Sequence, residues 1–324
     1  MSKSRFTALL AGAAMLVGTA AAQADDYPTK PVTWIVPYTP GGITDTRSRM
    51  ISEEFGKALG QTVVVENKPG AGGTLGVEYV SRADPDGYTI IYGSLGTLAA
   101  APSLYKTLRY DSVKDFAPIH MMAASPNTLI AYKDRPYNTP EELVAYAKEH
   151  PGEVTVGLAG IGTGTHLASE LFANATGVEF LQVPYKGSAP MLNDLIAGRL
   201  DIAFDYAVST LGHVQSGSVK VLGVTSPERL EIFPDAKTVA EAGFPDATTG
   251  SWSGILVPAG TPQDRIDKLT AAFDTAMKSD QVQAALSKVQ SRFMDMDGDE
   301  MAAFIAAERD KWSAIIEAAG IEKR

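Results

Sequence analysis

Residues 32–45 read VTWIVPYTPGGITD, and residues 154–166 read VTVGLAGIGTGTH. Each is a short β-branched apolar run that ends in a glycine-rich loop and opens into a helix-forming segment. That is the strand–loop–helix unit of a parallel α/β sheet. Glycines let the backbone approach a ligand closely, and a helix N-terminus offers unpaired N–H groups with a partial positive charge. Such a loop binds an anion without Lys or Arg. Parallel sheets also place ligands at the carboxyl ends of their strands, where both loops fall. Pro40–Asp45 and Gly160–His166 are therefore candidate carboxylate cradles, one in each half of the chain. The alternative is two tight turns in which Thr44, Asp45 and Thr165 are ordinary helix caps.

The same rhythm extends outward from both stretches. Around the first lie TVVVEN (62–67), the glycine-rich KPGAGG, a helix near Leu75–Arg82, and the strands YTIIYG (88–93) and FAPIHMMAA (116–124). The last leads through Ser125-Pro126 into NTLIAYK (127–133). Thr139-Pro140-Glu141-Glu142 is a capping box with Pro at the first helical position. The second stretch is followed by EFLQVPY (179–185), the helix APMLNDLIAGR, and the strands DIAFDYA (201–207) and VKVLGVT (219–225). After Gly250 come a strand, SWSGILVPA, a helix start expected at Thr261-Pro262, and a last helix with Met301, Phe304, Ile305, Trp312, Ile315 and Ile316 on one face. Two halves of this kind predict an α/β protein of two domains meeting at a cleft, with boundaries expected at 26–126 plus 250–324 and 127–249. The pattern of halves does not itself carry the return of the C-terminal segment to the first domain.

The N-terminus is an address. Lys3 and Arg5 precede an apolar run, Phe6–Val17, and Ala22-Gln23-Ala24 supplies an A-x-A site, the three parts of a secretory signal peptide. The run is well short of the roughly 20 residues a spanning helix needs. Residues 1–24 are expected to be removed after Ala24, leaving an exported, periplasmic chain.

Composition narrows the function. Of 324 residues, 28 are basic and 38 acidic, a net −10 that becomes −12 when Lys3 and Arg5 are removed. That balance argues against nucleic acid as a partner. With no Cys in the sequence, thiol catalysis, Cys-ligated zinc and iron–sulfur clusters are excluded. From Gly160 the spacing is G-x-G-x-x-T, and no G-x-x-x-x-G-K-[ST] occurs, so nucleotide binding is unsupported. Gly250-Ser251-Trp252-Ser253-Gly254 has Trp where a nucleophile elbow needs Ser. The histidines, His120, His150, His166 and His213, lack zinc spacing, and only His166 sits at a candidate ligand loop. No cofactor or metal is expected.

Single residues add to the pattern. Asp205, flanked by apolar residues in DIAFDY, should be buried and therefore partnered, either by backbone or by a donor on the ligand. Tyr38, Tyr185 and Lys186 follow strands at the ends that face the cleft. Trp252 suits packing near the crossover better than ligand stacking.

The motifs also carry a resemblance. DYPTKP (26–31), IVPYTPGGITD (35–45), VVVENKPGAGG (63–73), ADPDGYTI (83–90), GTGTHL (162–167), VPYKGSAP (183–190), VLGVTSPER (221–229), Trp252 and PAGTP (258–262) resemble, in order, the solute-binding proteins of tripartite tricarboxylate transporters, also known by the Bordetella uptake name. The resemblance implies a type II-like Venus-flytrap fold, with the C-terminal helices returning to the first domain. It implies a carboxylated ligand between the lobes, a di- or tricarboxylate or an aromatic acid, held by backbone N–H groups, hydroxyls and water. The family's ligand loops carry over to Gly41, Gly42, Ile43, Thr44 and Asp45, and to Gly160, Gly162, Thr163, Gly164 and His166. Its further site residues map to Tyr185, Lys186, Gly187 and Asp205. The implied partners of this monomeric receptor are a large and a small integral membrane subunit, with no catalysis. A ligand-presenting sensor subunit would share the fold, whereas a periplasmic hydrolase lacks its nucleophile–base–orienter set here.

Overall fold

The computed structural model describes residues 26–288, 291–318 and 321–323, so the export segment and its cleavage site lie outside the described residues. Its strands are β1 (Val32–Val36), β2 (Val63–Asn67), β3 (Thr89–Ser94), β4 (Phe116–Tyr132), β5 (Thr155–Leu158), β6 (Leu181–Pro184), β7 (Ile202–Tyr206), β8 (Val219–Val224), β9 (Gly250–Pro258) and β10 (Arg292–Phe293). Its helices are α1 (Ile43–Leu59), α2 (Thr74–Ser81), α3 (Ala101–Leu104), α4 (Pro140–Glu149), α5 (Gly164–Thr176), α6 (Ser188–Ile196), α7 (Ala207–Gln215), α8 (Gln263–Met277), α9 (Asp280–Ser287) and α10 (Gly298–Ala318).

The sheet runs β2-β1-β3-β9-β4-β7-β5-β6, with β8 and β10 also pairing on β4. β1 is parallel to β2 and β3, and β5 is parallel to β6 and β7, which gives each half its own strand–loop–helix unit. The 17-residue β4 joins the halves. Up to Pro126 it pairs antiparallel with β9, and from Asn127 it pairs with β7. A proline suits that switch, where the ladder can lose a donor. The sequence reading broke this strand at Ser125-Pro126; the chain instead continues through it. Beside the switch the chain crosses back: Thr225 donates its N–H to Asn127 O, and Thr249 donates its N–H to Thr225 O, both at 2.9 Å.

Apolar faces place the cores. On one side of the first half Trp34, Phe55 and Phe273 meet edge to face at 5.2–6.4 Å, so α1 and α8 close over β1. On the other side Trp312 and Met301 of α10 join Ile35, Leu98 and Leu256. The segment after Gly250 thus packs on the first half. Phe172 lies against Phe204 and Phe244 in the second. Thr261 does not cap α8: its hydroxyl donates to Pro258 O at 2.8 Å, and Pro262 is the N-cap residue. Among the described residues, no helix is long and apolar enough to cross a membrane.

The halves touch across the cleft. Thr39 Oγ1 donates to Lys186 O at 3.3 Å, and Tyr105 Oη donates to Ile161 O at 3.4 Å. A Cβ on Gly96 would lie 2.2 Å from Gly162 O, and one on Gly72 would lie 2.0 Å from Ile161 O, so only glycine permits this approach of backbone to backbone.

Candidate functional site

The loop after β1 turns at Gly41, whose φ of +77° favours glycine, and α1 begins at the N-cap Gly42. Asp45, in the first turn, accepts the Gly41 N–H on Oδ2 at 2.9 Å, and its Oδ1 meets the Arg49 guanidinium at 2.9 Å. Arg49 also donates to Asn67 Oδ1 at 2.9 Å, and Asn67 Nδ2 donates to Tyr38 O at 3.1 Å. Burial opposes ionisation of Asp45, but Arg49, the Gly41 amide and Asn67 outweigh it and hold the carboxyl below the ordinary range. The loop is thereby pinned from behind by a charged chain of contacts.

The loop after β5 repeats the geometry with different chemistry. Gly162 has φ +79°, and α5 begins at the N-cap Thr163. Thr163 Oγ1 accepts the His166 N–H at 3.3 Å, donates to Gly160 O at 2.7 Å and lies 3.0 Å from Thr165 Oγ1. His166 is buried. Its Nδ1 accepts the Gly162 N–H at 3.1 Å, which leaves the proton on Nε2, facing Glu170 Oε1 at 3.1 Å. Both loops therefore engage the amide of the residue before the N-cap with a side chain from the first helical turn. Among the described residues, no acceptor meets the N–H groups of Thr44, Gly164 or Thr165, which is what the open start of a helix leaves.

Both helix starts open on one cavity of about 50 Å³. Its wall is Tyr38, Thr39, Gly42, Thr44, Tyr92 and Ser94 from the first half, and Ala159, Thr163, Thr165, Gly187, Ser188 and Tyr206 from the second. Hydroxyls dominate, and no residue of the wall is charged. Tyr38 Oη lies 2.9 Å from Ser94 Oγ, and burial raises the pKa of Tyr38 and of Tyr206 far above the ordinary phenol value, so both remain neutral hydrogen-bonding groups. Toward solvent the cleft widens between Gly70–Gly73, Tyr105, Gly160, Ile161, Tyr185 and Lys186.

The structure distributes the expected residues over three layers. Tyr38, Gly42, Thr44 and Thr163 line the cavity, and Gly164 adjoins it against Ser251 and Tyr206. Gly160, Tyr185 and Lys186 line the outer mouth, where Tyr185 Oη donates to Asp194 at 2.7 Å and Lys186 is exposed. Asp45, Gly162 and His166 stand behind the loops with their polar atoms engaged as above, and Gly41 lies exposed at the turn of the first loop. Ile43 contributes the first residue of α1. Asp205 is fully buried behind Ser188. Its Oδ1 accepts from Ser188 Oγ at 2.9 Å and from the Tyr206 N–H at 2.8 Å, Oδ2 has no partner among the described residues, and burial pushes its pKa up to about 7.

Sequence reasoning missed Thr39, Tyr92, Ser94, Ser188 and Tyr206 as cavity walls. Tyr92 and Ser94 end β3, and Tyr206 ends β7. The rule that placed ligands at carboxyl ends of strands applied to them equally. Trp252 packs edge to face on Phe304 at 5.2 Å and donates Nε1–H to Glu308 at 2.7 Å, the packing role expected. His120, Asp274 and Asp295 approach one another at metal-ligand spacing, but Lys278 reaches both carboxylates at 2.7 and 3.2 Å, supplying the cation itself.

Known proteins share this fold. The solved structure of the periplasmic binding protein BugD is 36% identical, with a TM-score of 0.88 over 92% of this chain and all of that one. A protein of R. palustris solved with adipate is 34% identical, with a TM-score of 0.88 over 92% of this chain and all of that one. MatC from Rhodopseudomonas palustris, solved with bound malate, is 33% identical, with a TM-score of 0.85 over 90% of this chain and all of that one. The likeness is to the α/β fold of periplasmic binding proteins, the fold class expected. The family model described as tripartite tricarboxylate transporter family receptor matches residues 48–321. The chain belongs to the tripartite tricarboxylate transporter receptor family.

Proposed function

We propose that this chain is a periplasmic receptor that captures a small organic carboxylate and hands it, unchanged, to the large and small membrane subunits of a secondary transporter. One observation carries the reading: the open N–H groups of α1 and α5, from opposite halves of the sheet, converge on a single uncharged, hydroxyl-lined cavity. Two helix dipoles pointing at one small space favour an anion there. The adipate and malate held by two similar structures support a carboxylate as that anion. Lobes of 26–126 plus 250–324 and of 127–249 fit the strand pairing, because β4 changes partner between Pro126 and Asn127. Rotation about that switch would let a monomer close both helix ends on one ligand.

The chain's net negative charge does not oppose this. Surface charges are screened over about 8 Å at physiological salt, whereas the amides touch the ligand directly. Thermal melting across a panel of carboxylic acids tests the reading. A ligand at 100 times its dissociation constant adds about 2.7 kcal/mol, close to 4 °C for a chain of this size. At least one acid should produce that shift without being consumed, and indifference to every acid offered would overturn the reading.

A further inference from the structure

A second, smaller cavity of about 10 Å³ adjoins the first, sharing the walls Thr44, Tyr92 and Tyr206. Its lining includes Arg47, a residue of α1 only 8% exposed. The Arg47 guanidinium donates to Ser125 Oγ at 3.1 and 3.2 Å and to Ser291 Oγ at 3.2 Å, all neutral acceptors. Carboxylates of α1 and α10 are engaged elsewhere, and Asp205, whose Oδ2 has no partner among the described residues, turns its Oδ1 to Ser188 and the Tyr206 N–H. Asp45, two residues earlier, faces Gly41 and Arg49. Glu308, behind Trp252, accepts from both Trp252 and Trp312 and pairs with Lys311. Among the described residues, no carboxylate lies within ion-pair distance of Arg47. A buried charge ordinarily has a counter-charge, because desolvation costs several kcal/mol that neutral hydroxyls repay only in part. In the same cavity the Ser253 hydroxyl, 2% exposed, has no partner among the described residues. A cation without an anion and an unpaired donor thus face one small polar space at the inner end of the cleft.

We infer that Arg47 is a specificity-determining residue that receives a second carboxylate of the ligand, so that this receptor selects short aliphatic diacids over monoacids. The inference rests on the proposed cleft: with one carboxylate on the α1 and α5 amides, the chain of the acid runs past Thr44, Tyr92 and Tyr206 toward the guanidinium. The planar fork of Arg matches a carboxylate bidentately, and Ser253 supplies a further donor. A space this narrow excludes an aromatic ring.

Calorimetry with malate, succinate and adipate against the matched monoacids lactate, butyrate and hexanoate tests this on the full mature chain. The wild type should bind at least one diacid about 10- to 100-fold more tightly than its monoacid. Arg47→Met should erase that preference while changing monoacid affinity less than about twofold, and Arg47→Lys, which keeps the charge but not the fork, should restore part of it. Should Arg47→Met fail to fold, the Lys variant and Ser253→Ala carry the test, each lowering diacid affinity alone. Equal loss of both classes, or a diacid preference that survives in Arg47→Met, would overturn the inference and leave the cleft standing. A wild type silent to all six acids overturns the cleft reading itself.

Discussion

The two candidate ligand loops have the same geometry and opposite chemistry. In each, a glycine with φ near +78° precedes the N-cap, and its N–H is held by a side chain from the first turn of the following helix. In the first loop that side chain is the anionic Asp45, balanced by Arg49; in the second it is a neutral imidazole, backed by Glu170. The difference teaches which part of the design is required. The holding side chain can be charged or neutral, but the turn glycine's amide must be engaged, which leaves the amides of the next turn free and fixed in direction. Preorganised donors of this kind lose little entropy when a ligand arrives.

The most damaging change should separate space from backbone. Gly42 has φ −77°, and a Cβ there meets only Thr39 O, at 3.6 Å. Gly42→Val should therefore fold normally while its side chain fills the cavity, lowering carboxylate affinity more than about 100-fold by calorimetry. Gly162→Val, at φ +79°, should instead lose binding together with about 2 kcal/mol of stability in denaturant titration, because a β-branched residue resists that region. Equal behaviour of the two variants would break the distinction between cavity wall and loop turn.

Removing the holding side chains comes next. His166→Ala leaves the Gly162 amide unmatched and a void beside Glu170, an expected loss of about 2–4 kcal/mol in urea unfolding. Asp45→Ala should lose only about 1–2 kcal/mol, because Arg49 is half exposed and water can replace its partner. A larger loss at Asp45 than at His166 would reverse the comparison.

Acidity provides the finest distinction, with opposite signs in the two halves. Asp45 has a folded carboxyl below its unfolded value, so its stabilisation is present above the ordinary carboxylate range and disappears as the pH falls through the lowered value. Asp205 has a folded pKa of about 7, so its contribution is complete below the unfolded value near 3.8 and is lost as the pH rises through 7. Between about pH 6 and 8 that loss is about 1 kcal/mol. Asp205→Asn should flatten the melting temperature of the ligand-free protein over that range, and an unchanged slope would remove Asp205 as its source.

Much of this was legible in the sequence because it is written in local chemistry. Glycine turns, the Thr139 cap and apolar strands each state their geometry within a few residues. What escaped depends on distant neighbours. Pro126 reads as a break, yet β4 runs through it because two different strands pair on either side. The resemblance maps Asp45 and His166 to the ligand loops, and nothing in their local sequence shows that their side chains turn back onto the Gly41 and Gly162 amides. Arg47, in TDTRSR, carries no local sign of its burial against Ser125 and Ser291.

A crystal structure of the protein with a bound carboxylic acid examines the central claim most directly. One carboxylate should lie about 3 Å from the Thr44 N–H and from the Gly164 or Thr165 N–H at once, contacted by both helix starts. A carboxylate seated on one helix alone, or lodged away from both, would contradict the account.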